Sequence, residues 1–131
     1  NTADLERTYA KILEIKERLQ NISLDDHSPF ANQTYQFALQ MGPMLDLALV
    51  ITKGASLRHE FRGSHYMESY PERDDEHWLK TTIAKWENGE PSITYRPVDT
   101  RHLDPVKRDY AVAKKVVPEL KNVPANIPLV V

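Results

Sequence analysis

Apolar side chains recur at Leu5, Tyr9, Ile12, Ile15, Leu19 and Ile22, separated by three or four residues each time. That spacing lays them along one stripe of an α-helix. Glu6, Arg7, Lys11, Glu14, Lys16, Glu17 and Arg18 fill the remaining faces, and Glu14 stands four residues before Arg18 as a favourable pair. The pattern predicts a first helix that begins near Asp4. Asp25 to Pro29 interrupts it, and Ser28 with Pro29 offers an N-cap and a first helical residue for a second helix over residues 29–59. This second helix is apolar on two sides. Tyr35, Ala38, Leu45, Ala48, Leu49, Thr52 and Ala55 form one stripe, and Phe37, Met41, Met44 and Ile51 form another. Such a helix needs cover on both sides. Gly42-Pro43 is expected to kink it, because proline lacks the N–H of the ladder and crowds the preceding turn.

From Arg58 to His77 the periodicity disappears. Arginines, histidines and acids crowd around Gly63 and Pro71, which predicts an irregular loop. Asp74-Asp75-Glu76 suits the start of a short helical turn, since acids are favourable at the positive end of the helix dipole. After Trp78 the character is that of a strand, with Thr81, Thr82, Ile83 and Trp86. Asn88-Gly89 separates this run from Ile93-Thr94-Tyr95, a strong hairpin signal. Trp78 and Trp86 read as anchors that fasten loop and hairpin to a core. Beyond Thr100 the chain is basic and rich in proline, which predicts extended structure that depends on a partner. The pattern therefore describes an all-α helical core with an appended β-hairpin. Its parts are a helical pair (1–60), a motif loop (61–78), the hairpin (79–99) and an extended basic tail (100–131).

Composition narrows the function. The 131 residues are 40% hydrophobic and 27% charged, which is globular and not disordered. A net charge of −2 gives no electrostatic case for nucleic acid. The chain has no cysteine, which removes disulfides and thiolate chemistry and fits a reducing compartment. Ala31 to Thr52 carries only Asp46 as a charge, yet its glutamines, Asn32 and Pro43 make it a buried helix and not a membrane span. The opening Asn1-Thr2-Ala3-Asp4, without a methionine, reads as part of a longer protein. Gly42, Gly54, Gly63 and Gly89 are too dispersed to cradle a phosphate, so no dinucleotide site is expected.

His59, Glu60, His65, Asp74, Asp75 and His77 are the conceivable metal ligands. His59-Glu60 lacks the second histidine of a helical zinc motif, so no metal site is assigned. His65 with Asp74 is a conceivable acid–base pair, and Ser56, Ser64 and Ser69 stand in no nucleophile-elbow pattern. No catalytic residue is assigned either. Glu72 to Glu76 reads as a solvated helix start, with Arg73 bridging to a neighbour.

One stretch goes further. Arg58-His59-Glu60-Phe61-Arg62-Gly63-Ser64-His65, followed by Tyr70-Pro71-Glu72-Arg73-Asp74-Asp75-Glu76-His77-Trp78-Leu79-Lys80-Thr81-Thr82, resembles the C-terminal region of succinate dehydrogenase and fumarate reductase flavoproteins. The family pattern is E-S-R-G-A-H, then [FY]-P-x-R-D-D-x-x-W-L-K-H-T. Glu17 to Ile22, Met44 to Ala48, Tyr95-Arg96-Pro97-Val98, and Pro105, Arg108 and Tyr110 extend the resemblance over most of the chain. Phe61 and Ser64 replace a serine and an alanine, Met67 and Ser69 stand where an arginine and an acid are common, and Thr81 stands for a histidine. Residues 111–131 lie past the family's usual end.

The resemblance implies a three-helix-bundle-like, spectrin-repeat-type domain whose first helix is not in this chain. It implies FAD in the parent subunit, succinate–fumarate interconversion, flavin-binding and capping domains in the same subunit, an iron–sulfur subunit and, indirectly, a membrane anchor. It places the whole in the cytoplasm on the inner face of the cell membrane. The flavin and substrate residues of the family lie upstream, so no cofactor and no catalytic residue carry over to this chain. Glu60, Arg62, Gly63, His65, Pro71, Arg73, Asp74, Asp75, Trp78, Arg108 and Tyr110 are expected to be docking residues. L-aspartate oxidase and adenylylsulfate reductase flavoproteins, or a stand-alone helical interaction module, remain the alternatives. With no first helix to cover Phe37, Met41 and Met44, a two-fold dimer that packs helix on helix is expected of the chain alone.

Overall fold

A computed structural model of the protein describes residues 1–106. The first helix, α1, spans Thr2–Leu19, and the Asn1 side chain caps it by accepting the Asp4 N–H at 3.0 Å. Leu5, Tyr9, Ile12, Ile15 and Leu19 are partly buried along the predicted stripe. The helix stops short of the stripe's last member: Ile22 follows the terminal turn and is 50% exposed. Glu14 receives Lys11 at 2.7 Å and lies 4.0 Å from Arg18.

The second helix, α2, spans Gln33–Leu57, later at its start and earlier at its end than the spacing predicts. Ser28 is not its cap. The Asp26 carboxylate accepts the Ser28 N–H at 2.9 Å, and Ala31 turns left-handed with φ 53°. Asn32 then caps instead, accepting from Tyr35 N–H at 2.8 Å and donating from its Nδ2 to the Asp26 carbonyl at 2.8 Å. A side chain that holds both the loop behind it and the helix ahead of it outcompetes Ser28-Pro29 for the cap. At the other end Arg58 is extended and closes the helix. The helix continues unbroken through Pro43.

Burial on α2 is one-sided. Leu45, Leu49 and Thr52 are buried, and Lys16 pairs with Asp46 across the two helices. On the second apolar stripe Phe37 is 64%, Met44 59% and Ile51 69% exposed. Among the described residues, the two-sided cover that this helix calls for is present on one side only.

The motif loop closes on a single helical turn, α3, Asp75–Trp78, capped by the Asp74 carboxylate at 3.0 Å from His77 N–H. Strands β1 (Lys80–Glu87) and β2 (Glu90–Pro97) follow as an antiparallel pair, from Lys80 opposite Pro97 to Glu87 opposite Glu90. Asn88 and Gly89 have φ of 54° and 84°, the two left-handed residues of a type I′ turn. The hairpin meets the helices through Lys53–Glu90 at 3.1 Å and through Lys16 4.5 Å above the Trp86 ring, and its Pro91 is fully buried. The architecture is largely helical with an appended hairpin, as the pattern predicts. Among the described residues, no helix is long and apolar enough to cross a membrane. Arg108, Tyr110 and the rest of residues 107–131 lie outside the described residues.

Candidate functional site

Where α2 ends, Arg58 turns the chain into an extended path, and two residues later the Glu60 side chain is fully buried. A buried carboxylate needs charged and hydrogen-bonded partners. Glu60 has both. Arg62 donates in parallel from Nε to Oε1 at 2.7 Å and from Nη2 to Oε2 at 2.9 Å, the planar fork matched to a carboxylate. Arg58 donates to Oε1 as well, and the Asp74 N–H reaches Oε2 at 3.2 Å.

Arg62 can reach back to Glu60 because the chain reverses between them and His65. Gly63 sits at φ +61°, a conformation that glycine adopts without strain, and Arg62 and His65 exchange backbone bonds of 3.1 and 3.0 Å across it. His65 Nε2 lies 2.8 Å from the Arg58 carbonyl, which ties the turn to the end of α2.

The network runs on. Arg62 donates to Asp75 at 2.6 Å, Asp75 accepts from Arg73 Nε at 2.8 Å, and Arg73 Nη1 donates to the Val106 carbonyl at 2.8 Å. Arg58 Nη2 donates to the Lys80 carbonyl at 2.7 Å, and its Nη1 lies 3.3 Å from that of Trp78. The hydrogen bond to Glu60 raises the Arg62 guanidinium above its ordinary range. Arg73, and then Arg62, hold the Asp75 carboxyl below the usual carboxylate range. The backbone N–H of His77 lowers Asp74 in the same direction.

An aromatic group flanks these charges. His59 stacks on Tyr70 at 4.6 Å, Trp78 meets Tyr95 edge-on at 5.6 Å, and Lys80 Nζ lies 4.2 Å and 4.4 Å from those two ring centres. Met67 is 3% exposed and accepts from the Thr2 hydroxyl at 3.6 Å, so the loop also packs against the start of α1.

Of the residues singled out from the sequence, Glu60, Arg62, Gly63, His65, Arg73, Asp74, Asp75 and Trp78 are thus brought into one assembly. Pro71 is exposed and takes no polar part in it. Arg58, His59, Tyr70, Lys80 and Tyr95 belong to it too, although the sequence does not mark them as docking residues. Arg58 had one local sign, a cation two residues before an acid. Its carbonyl partners lie 20 and 22 positions away.

Chemically this is a closed network. Its arginines are committed to carboxylates and carbonyls, and its buried acid is bound on both oxygens. A groove of about 1020 Å³ beside the α1–α2 connection and a smaller cavity of about 220 Å³ near Tyr9 and Lys53 are lined by other residues. Among the described residues, no three His, Cys, Asp or Glu side chains converge as metal ligands.

The family described as fumarate reductase flavoprotein C-term matches residues 1–110, the whole helical pair, motif loop and hairpin. The chain belongs to that family. It is 45% identical over 110 residues to the succinate dehydrogenase flavoprotein subunit of Bacillus subtilis, covering 82% of this chain and 19% of that one. It is 39% identical over 109 residues to the fumarate reductase flavoprotein subunit of Haemophilus influenzae, covering 82% and 18%. The fumarate reductase flavoprotein subunit of Helicobacter pylori is 36% identical over 122 residues, covering 89% and 17%. The chain spans about a fifth of the length of the curated relatives it matches. These matches favour the succinate dehydrogenase/fumarate reductase flavoprotein C-terminal domain over an L-aspartate oxidase, an adenylylsulfate reductase or a stand-alone module. In this chain the arginine–glycine–histidine segment is the turn that seats Arg62 on Glu60. Met67, which departs from the family's common arginine, is a core side chain here.

Proposed function

We propose that this chain is a structural and docking domain of an FAD-dependent flavoprotein subunit that interconverts succinate and fumarate, with the flavin and the reacting groups in other domains. The observation that carries this reading is the saturation of the Glu60 network. Both oxygens of Glu60 are bound, and Arg58, Arg62 and Arg73 are spent on carboxylates and carbonyls, so the most charged part of the chain is built to hold shape. Glu60, Arg62, Gly63, His65, Arg73, Asp74, Asp75 and Trp78 stiffen a surface that braces the flavin-binding and capping domains and faces the iron–sulfur subunit. Pro71, Arg108 and Tyr110 belong to the same surface. The complex lies on the cytoplasmic face of the cell membrane, joined to it by the anchor subunit. The units 1–60, 61–78, 79–99 and 100–131 are the working divisions of the domain.

The exposed stripe of α2 (Phe37, Met44 and Ile51) supports a finer reading of the fold. A third helix, supplied by polypeptide outside this chain, lies on that stripe and completes a spectrin-repeat-type bundle. In the chain alone, the α2 stripe of a second copy is the alternative cover.

Arg62→Ala in the whole flavoprotein subunit tests the docking role. Losing the fork leaves a buried carboxylate short of donors, a loss of about 1–3 kcal/mol. Flavin content and assembly with the iron–sulfur subunit should fall together with activity. Normal assembly and flavin content with turnover alone abolished would make the loop catalytic and defeat the reading. By itself the 131-residue chain should hold no flavin and reduce no dye with succinate.

A further inference from the structure

The two edges of the hairpin are not alike. A two-residue turn makes Glu87 and Glu90 a hydrogen-bonded pair, so alternate residues from there point their N–H and C=O between the strands and the others point outward. The outward residues are Pro91, Ile93, Tyr95 and Pro97 on β2, and Lys80, Thr82, Ala84 and Trp86 on β1. The bond from Arg58 to the Lys80 carbonyl confirms this phase, since a carbonyl inside the ladder would not be free for it.

Prolines stand at both ends of the β2 edge, where they remove donors from the side that a further strand would use. β1 has no proline and no charge at Thr82, Ala84 or Trp86. All three are exposed, and among the described residues nothing bonds their outward main-chain groups. Arg58 plugs the edge at Trp78 and Lys80 and reaches the Thr82 hydroxyl at 3.3 Å, and Lys16 lies over the Trp86 ring, so what stays open from Thr82 to Trp86 is the outward main chain and not the side chains.

We infer that the open β1 edge pairs with the β1 edge of a second copy, antiparallel about a two-fold axis at Ala84, which joins the two hairpins into a four-stranded sheet. The edge is complementary to itself. With Ala84 opposite its own image, Thr82 faces Trp86, Ile83 faces Lys85 and Thr81 faces Glu87, so no like charges stand directly opposite. The pairing closes after one partner, because the β2 edges that end up outermost carry Pro91 and Pro97. This inference concerns a surface apart from the proposed docking loop and from α2, and it does not rest on the functional reading.

The test is amide hydrogen exchange by NMR on the full chain across a concentration series, with sedimentation equilibrium on the same samples. Thr82, Ala84 and Trp86 should slow together as the dimer forms. Ala84→Pro, which removes one outward N–H and no bond of the hairpin itself, should raise the dimer dissociation constant at least about tenfold. Thr82→Lys serves where the proline variant fails a circular dichroism check of folding. Ile51→Lys, on the α2 stripe, should leave the protection of the three amides unchanged. Exchange at these amides that is independent of concentration, a monomer throughout, or a dimer lost in Ile51→Lys and kept in Ala84→Pro would overturn the inference. The last of these would leave the third-helix reading of α2 to be judged separately.

Discussion

The helical pair and the loop–hairpin half solve the same problem with opposite chemistry. In the helical pair, order comes from buried apolar side chains such as Leu45 and Leu49, with an ion pair, Lys16–Asp46, at the seam between α1 and α2. From Arg58 onward the most deeply buried side chains include a carboxylate, and the loop is held by arginine forks, carbonyls and stacked rings. Apolar burial is non-directional and tolerates a helix with one uncovered side. A charge network is directional. It fixes a loop that has no periodicity of its own, and it is sensitive to the loss of any one member.

The largest effect should come from the charged half. Glu60→Ala leaves the Arg58 and Arg62 guanidiniums facing one another without the acid, a loss of about 4 kcal/mol. Both tryptophans lie in this half, so urea unfolding followed by fluorescence should shift strongly while helix ellipticity shifts less. Leu49→Ala should reverse that order. Its side chain is 1% exposed, and truncation should cost about 3 kcal/mol, read first in the far-ultraviolet signal. Gly63→Ala forces a Cβ into φ +61° and should cost about 1 kcal/mol, confined to the loop probes because no atom lies within 4 Å of the added carbon. Asn32→Ala removes the α2 cap for about 1 kcal/mol or less, and circular dichroism of the helical pair reports it. If Glu60→Ala and Leu49→Ala moved both probes equally, the two halves would be one cooperative unit and the contrast would fail.

The same contrast explains what was legible beforehand. The α1 stripe and the Asn88-Gly89 turn are local codes; the turn stands where its code puts it, and α1 follows its stripe as far as Leu19 and stops before Ile22. Ser28-Pro29 satisfies the local cap pattern, yet Asn32, which that pattern does not pick out, caps α2. The choice fell to Asp26, whose carboxylate and carbonyl hold Ser28 and Asn32 respectively. In the loop, resemblance supplied the names of the residues and nothing supplied their pairing. Glu60 and Arg62 are neighbours in sequence, but Arg58 meets Lys80, Arg73 meets Val106 and His59 meets Tyr70 only after the chain has folded.

An acid titration of the 131-residue chain, followed at once by tryptophan fluorescence and by helix ellipticity, tests the account most directly. Asp74 and Asp75 are held below their ordinary values in the folded state, the first by the His77 N–H and the second by Arg73, and Arg101 pulls Asp99 down to about 2. A depressed carboxyl contributes stability that is whole above its unfolded value, about 3.9, and is lost as pH falls toward the folded one. Glu14 in α1 and Asp26 before α2 are lowered too, by Lys11 and by Ser28, but each of those pairs stays within its own turn. Asp75 instead joins Arg62 and Arg73 to the network around Glu60, so the loop–hairpin half should loosen first below about pH 4, with fluorescence changing at higher pH than ellipticity. Coincident transitions, or helices that melt before the tryptophans respond, would contradict it.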